Sequence, residues 1–296
     1  MISEQLLQYI FSGITVGSIY AIVAIGFNIV YSATGIINFA QGEFVMLGGM
    51  IAYSLSQVMP MLPAVLIAVV ITTIVGSSLE IIFIRRLASP SILQMIIVTI
   101  GLSILIREIA LQVWDEQVRA LRFFSGTEIS SVRILGAYVS PQVFWVLGVS
   151  ALIVLGLYFF FRYSLAGKSM RACAANRRAA GLCGINTKAM INLAFCLSAG
   201  TGALAGAVVA PLTQIHYGMG SELAIKGFAV AILGGLGNSM AAVAAGLLLG
   251  ILESFSISIL PMAYKDAIAI LLLILMLLVK PSGLFGSKEL SSLKEF

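Results

Sequence analysis

Of the ionisable side chains inside or at the edge of long apolar runs, Glu43, Glu80, Glu222, Lys226 and Glu253 are the ones to weigh. A charge at membrane depth costs about 2.5 to 3.5 kcal/mol on insertion scales, so each needs a partner, water or a task. Glu43 follows Asn38 and Gln41 within a glycine-broken stretch (Gly35, Gly42, Gly48, Gly49). That patch predicts a polar surface facing the protein interior, with Asn38, Gln41 and Glu43 as candidates to line a solute path. Glu222 and Lys226 are spaced i to i+4 with the carboxylate first, the favourable order for a helical ion pair. Glu80 lies about a turn before Arg85 and Arg86 and reads as a side chain that snorkels to an interface. Glu253 sits deeper, after GLLLGIL, where a structural tether and a path residue are both open readings.

A second chemistry is electrostatic. Residues 162–189 carry six cations (Arg162, Lys168, Arg171, Arg177, Arg178, Lys188) and no carboxylate, in a chain where 10% of residues are charged. From the residues alone, such a loop can set topology and bind anionic lipid, or it can meet a soluble partner. Its cations sit at the ends of apolar runs rather than in a stripe with interleaved aromatics, which argues against nucleic acid despite the net charge of +5. Enzymatic and cofactor chemistry finds no foothold. The chain has no phosphate-binding GxxxxGK[ST], no nucleophile elbow and no HExxH, and its lone histidine, His216, has no second ligand at metal spacing. Cys173, Cys183 and Cys196 are spaced neither for zinc nor for a disulfide framework and read as reduced structural thiols.

The elements that must position these groups are membrane helices, because 60% apolar content in runs of about 20 residues does not form a soluble core. Runs at 6–31, 37–57, 62–84, 92–113, 142–161, 190–213, 223–237, 239–260 and 265–280 predict an all-α polytopic protein of eight or nine membrane segments. The N-terminal residues read as part of the first span, since Glu4 stands where a signal peptide needs positive charge. With that end outside, Arg85, Arg86, the 162–189 loop, Lys280, Lys288 and Lys294 all fall on one face, and the positive-inside rule makes that face cytoplasmic. Residues 114–141 then form an external loop of balanced charge, and 281–296 a cytoplasmic tail.

The 223–237 run is short and glycine-rich, as a broken or re-entrant helix would be. Aligning Gly42-Glu43 with Gly220-Ser221-Glu222 gives an internal echo, each followed by an apolar run with paired glycines. Paired interrupted helices in a repeat mark the substrate pathway of many transporters, which adds Gly220, Glu222 and Glu253 to the path candidates; a packing seam explains the same glycines. Three GxxxG spacings, Gly13/Gly17, Gly202/Gly206 and Gly246/Gly250, predict close helix crossings.

Three blocks carry a family resemblance: GFNIVYSATGIINFAQGEFVMLGGMIAY at 26–53, GKSMRACAANRRAAGLCGIN at 167–186 followed by AFCLSAGTGALAGAV, and KGFAVAILGGLGNSMAAVAAGLLLGILE at 226–253. Over nearly its whole length the chain resembles the permease subunit of branched-chain amino-acid ABC importers, the LivH type. One departure is Asn238-Ser239-Met240-Ala241, where that family usually has a further Gly-Ala or Pro-Gly-Ala, leaving the local turn open. The resemblance implies one transmembrane permease domain over 1–296 in a bacterial inner membrane. It also implies a second related permease subunit, two cytoplasmic ABC ATPases and a periplasmic binding protein as partners, with no cofactor. It shifts the basic loop toward ATPase coupling through a helix over 168–183, with Lys168, Met170, Arg171, Arg177, Arg178 and Leu182 at the contact. Branched-chain amino acids are the expected cargo; urea or short amides remain open, as does a carrier or channel that works without ATP.

Overall fold

The computed structural model describes residues 2–87, 91–127, 130–134, 137–258, 261, 264–280 and 283–284. Lys288 and Lys294, with most of the expected tail, lie outside them. The helices are α1 (Ile2–Thr34), α2 (Gln41–Ser56), α3 (Met61–Leu79), α4 (Ile92–Trp114), α5 (Pro141–Tyr163), α6 (Leu165–Ala175), α7 (Arg177–Leu182), α8 (Thr187–Val209), α9 (Met219–Gly234), α10 (Ser239–Ser256) and α11 (Lys265–Val279). A π-helical turn, Glu80–Ile84, prolongs α3, and a hairpin of β1 (Val132–Ile134) and β2 (Ala137–Val139) precedes α5.

Among the described residues six helical stretches are long and apolar enough to cross a membrane: α1, α3 with its π turn, α4, α5, α8 and α10. The helices α2 and α9 have 16 residues each. At 1.5 Å per residue that is about 24 Å, short of a hydrocarbon core of about 30 Å. The expected broken segments are therefore present, one in each half of the chain.

Glycine sets the crossings. Backbone of α1 at Gly13 and Gly17 lies against backbone of α10 at Gly246 and Gly250, so close that a Cβ at Gly17 would come within 2.6 Å of the Gly246 carbonyl oxygen. Gly206 of α8 meets the Val45 backbone of α2, and Gly48 of α2 meets Ala203 in return. These contacts extend to a two-fold pattern. As α1 packs on α10, α8 packs on α3; as α2 packs on α8, α9 packs on α1; α2 lies on α3 and against α4 as α9 lies on α10 and against α11. Four residues separate α2 from α3 (57–60) and four separate α9 from α10 (235–238). The echo between the Gly42 and Gly220 regions is thus the visible trace of a repeat, α1–α4 and α8–α11, with α5–α7 inserted between.

The two ends of the bundle differ. At one, Gln8 of α1 pairs with the backbone of Tyr138 in β2, Trp114 donates to Ser54, and Arg119 forms a bridge with Ile215. At the other, the C-terminal turn of α1, the first turn of α10, the π turn and the pair α6–α7 gather, bringing Arg85, Arg86 and the basic loop to the same end. Lys280 joins them, since Leu284 just beyond it bonds to the carbonyl of Leu233 at the end of α9. Asn238 resolves the departure in the third block: its side chain caps α10 through Ala241 N at 3.1 Å, after Gly235 and Gly237 turn the chain at φ 107° and 87°.

A single helix over 168–183 does not form. Asn176 ends α6 in extended backbone (φ −156°, ψ 105°), and its side chain accepts from Ala179 N at 3.0 Å to start α7. An Asn that caps a new helix competes with continuing the old one, which the count of helix-forming residues around it does not reveal.

Candidate functional site

The N-termini of α2 and α9 meet head to head. Neither Ala40 nor Gly218, at their N-cap positions, supplies a side-chain cap. A Cβ at Gly42 would collide with the Gly220 carbonyl oxygen, and one at Gly220 would sit 2.5 Å from Glu43 Oε2 and 2.9 Å from the Gly42 oxygen, so both positions need glycine. Glu43, fully buried, lies in the first turn of α2, where the positive end of the helix dipole favours a carboxylate. Its Oε1 accepts from Ser103 Oγ of α4 at 2.9 Å and from Ser221 Oγ of α9 at 3.1 Å. Its Oε2 has no hydrogen-bond partner among the described residues. Arg107, a turn beyond Ser103 on α4, donates to Ser221 Oγ at 3.4 Å, setting a cation one hydroxyl away from the carboxylate.

Asn38 and Gln41 support this junction from the linker side. Asn38 Oδ1 accepts from Ala40 N at 3.1 Å and turns the chain into α2. Gln41, also fully buried, donates from Nε2 to the Ser198 carbonyl at 3.3 Å and accepts from Ser198 Oγ, which also reaches the Gly26 oxygen at 3.1 Å. Gln41 thereby joins α2, α8 and α1 just behind Glu43.

Glu222 stands apart from the buried carboxylate. Its side chain is 70% exposed and lies 3.5 Å from His216. Both line a hollow of about 420 Å³ with Arg107, Glu108 and Tyr217, at the hairpin end of the bundle. Arg107 belongs both to this hollow and to the junction below it, so polar groups run continuously from open surface to Glu43.

Glu253 lies elsewhere again. Its Oε1 accepts from Lys226 Nζ at 2.9 Å, and Nζ also donates to Tyr20 OH at 3.0 Å, tying α10, α9 and α1. The ammonium expected to serve Glu222 is thus hydrogen-bonded to Glu253: the fully buried carboxylate needs it, whereas Glu222 keeps water. Glu80 departs from its expectation too. It is buried, and Arg85 folds back onto it at 3.0 Å while Asn192 Nδ2 donates from α8 at 2.9 Å, so it ties helices rather than reaching an interface.

Reading by residue type missed Ser103, Arg107 and Ser198. A signal existed for one pair: Arg107 is a lone cation deep in an apolar run, and Ser103 precedes it by four positions on the same helical face. Ser198 had none, because a serine amid alanines and glycines reads as small-residue packing.

In the basic segment Lys168, Arg171, Arg177 and Arg178 are exposed, and Leu182 is 92% exposed. Met170 is fully buried among Ile22, Ile25, Ile29, Ile153 and Leu157, so its contacts are within the chain and it anchors α6 to the bundle. Gly167 supports the same seat, packing on the backbone of Phe160 and Phe161. Burial also pushes the Cys173 thiol up, against a smaller opposing pull from Arg177.

Comparison with known proteins gives a uniform result. Residues 9–277 match the family described as "Branched-chain amino acid transport system / permease component". The chain is 35% identical over 97% of its length to the high-affinity branched-chain amino acid transport system permease protein LivH of Salmonella typhimurium, covering 98% of that protein. It is 34% identical to BraD, the corresponding permease protein of Pseudomonas aeruginosa, over 96% of each chain. The probable LivH of Methanocaldococcus jannaschii is 26% identical over 91% of this chain and 89% of its own.

Proposed function

The chain belongs to the branched-chain amino-acid transport permease family, and on that premise we propose that it is the multi-pass permease subunit of an ATP-driven ABC importer for leucine, isoleucine and valine. The observation that carries the path assignment is the junction of two short helices at Gly42 and Gly220, with a buried carboxylate held there by the hydroxyls of Ser103 and Ser221. Solute enters from the hollow beside Arg107, His216 and Glu222 and passes the Glu43–Ser221 contact as α2 and α9 separate. Two inverted half-helices suit this task, because small opposed shifts of their facing ends open a gap without unpacking either repeat.

The chain itself supplies no fuel site; hydrolysis belongs to two cytoplasmic ATPases, and a related second permease subunit completes the conduit. On this reading the membrane is a bacterial inner membrane, the cation-rich end is cytoplasmic and the C-terminus is inside. There, Lys168, Arg177, Arg178 and Leu182 meet the ATPase, with an exposed leucine one helical turn beyond Arg178 as the apolar contact. The hairpin end, with the hollow, receives a periplasmic binding protein.

Reconstitution tests this directly. In proteoliposomes containing both permeases and the ATPases, labelled leucine should enter only with added binding protein and ATP. Uptake on an ion gradient alone would overturn the reading, and preference for urea or short amides would overturn the cargo. Arg178→Glu should abolish stimulation of ATP hydrolysis while the chain still inserts.

A further inference from the structure

A second hollow is separate from the path. It measures about 610 Å³ and lies between α1, α5, α6 and α10 at the α6–α7 end. One wall is a helical stripe on α5, Val154, Leu157, Tyr158, Phe161 and Arg162, whose spacing of three and four residues keeps it on one face. The stripe is aliphatic at its deeper end and cationic at its last turn. Ile25 of α1 and Met240 of α10 extend the apolar part, and Arg171 of α6 brings a second guanidinium to the lining. Ser32, Asn238 and Ser239 add polar groups at the mouth, and the first turn of α10 directs the positive end of its dipole there. Arg162 donates to Tyr158 OH and sits 5.6 Å from the Tyr158 and Tyr163 rings, an aromatic and cation pairing typical of headgroup depth. No carboxylate lies anywhere in 162–189 to neutralise either arginine.

We propose that this hollow is a binding site for an anionic phospholipid, with the phosphodiester held between Arg162 and Arg171 and one acyl chain laid along Val154, Leu157 and Phe161. From Val154 to Arg162 the helix rises about 12 Å, which is enough for a headgroup and the upper part of a chain. The occupant is fixed by charge complementarity together with the apolar-to-cationic gradient: a zwitterionic lipid would gain less than an anionic one from two guanidinium groups in one hollow, and a free anion would leave the aliphatic wall uncovered. Bound there, the lipid bridges α5 and α6. It thus braces the root of the exposed basic segment from the membrane side, separating Arg171 in role from Arg177 and Arg178. The site stands on this geometry whether or not the transport reading holds.

The assembled transporter in nanodiscs of mixed phosphatidylcholine and phosphatidylglycerol, released into native mass spectrometry, decides the matter. Wild type should retain phosphatidylglycerol in preference, and Arg162→Gln with Arg171→Gln should cut that retention about tenfold or more, as expected for two lost cation contacts. Leu157→Trp, which keeps both cations but fills the groove, should also lose it, whereas Arg178→Gln should not. Equal retention of the two lipids by wild type would overturn the site even if the double variant failed to assemble. Retention by Leu157→Trp would place the lipid elsewhere, and full displacement by glycerol phosphate would reduce the site to a plain anion contact. A photocrosslinker at Met240 should capture lipid; capture of a neighbouring subunit would make this face a protein interface and end the proposal.

Discussion

Glu43 and Glu253 are both fully buried carboxylates on helices that cross their neighbours at glycine, and they are held in opposite ways. Glu253 has an ammonium at 2.9 Å and a phenol beside it; Glu43 has two serine hydroxyls on one oxygen and a guanidinium only at second hand. A buried carboxylate with its own cation is neutralised in place, and here the pair joins three helices. One held by hydroxyls keeps the capacity to exchange partners, because each serine can turn to another acceptor at small cost. The difference separates a tether from a path residue, a choice that depth in the membrane cannot make.

The contrast can be broken most severely at Lys226. Lys226→Met should destabilise the chain by about 3–5 kcal/mol, since it removes the ammonium that holds the buried Glu253 carboxylate at 2.9 Å. Adding Glu253→Met should restore most of that loss, measured as the thermal midpoint of the detergent-solubilised complex. Equal instability of the double variant would mean that the pair does more than neutralise itself.

Next in size is Gly220→Leu, which forces a side chain against Glu43 and the Gly42 backbone. Overpacking of this kind costs about 1–3 kcal/mol, and uptake should fall further than stability does. Glu43→Gln sharpens the comparison from the other side. It preserves shape and hydrogen bonding to Ser103 and Ser221, so stability should change by less than about 1 kcal/mol, within the range of conservative changes. Uptake of leucine should drop sharply; unchanged kinetics would remove Glu43 from the path.

The smallest effect concerns a reference region outside the bundle. Cys183 is exposed and Cys173 buried with its thiol pushed up, so a membrane-impermeant maleimide should label Cys183 quickly and Cys173 slowly at neutral pH. Because a raised value withholds the thiolate until more alkaline conditions, Cys173 labelling should climb with pH later than a free thiol would. Labelling of Cys183 from the periplasmic face would reverse the orientation.

Much of the architecture was legible beforehand. The apolar runs matched the helices to within a few residues, and the glycine spacings named both partners of the α1–α10 crossing before their contact was known. The Gly42 and Gly220 echo pointed at elements that touch. Pairings failed where they depended on competition: Lys226 faced two carboxylates and serves the more buried, and Asn176 could continue one helix or cap the next. Met170 looked like an apolar contact for a partner beside a cationic face, yet its side chain is buried and seats α6 on the bundle.

By itself the sequence determined the helices, their order, the breaks in two of them and the end of the bundle that carries positive charge. Those properties depend on local composition and on transfer between water and lipid, which each segment settles alone. Only the tertiary structure decided which carboxylate is neutralised, which glycines oppose each other and which arginines line a groove. Those are contests between residues far apart in the chain, 206 positions for Lys226 and Tyr20 and more for Gly13 and Gly250, and they are resolved by distance and burial once the helices have packed.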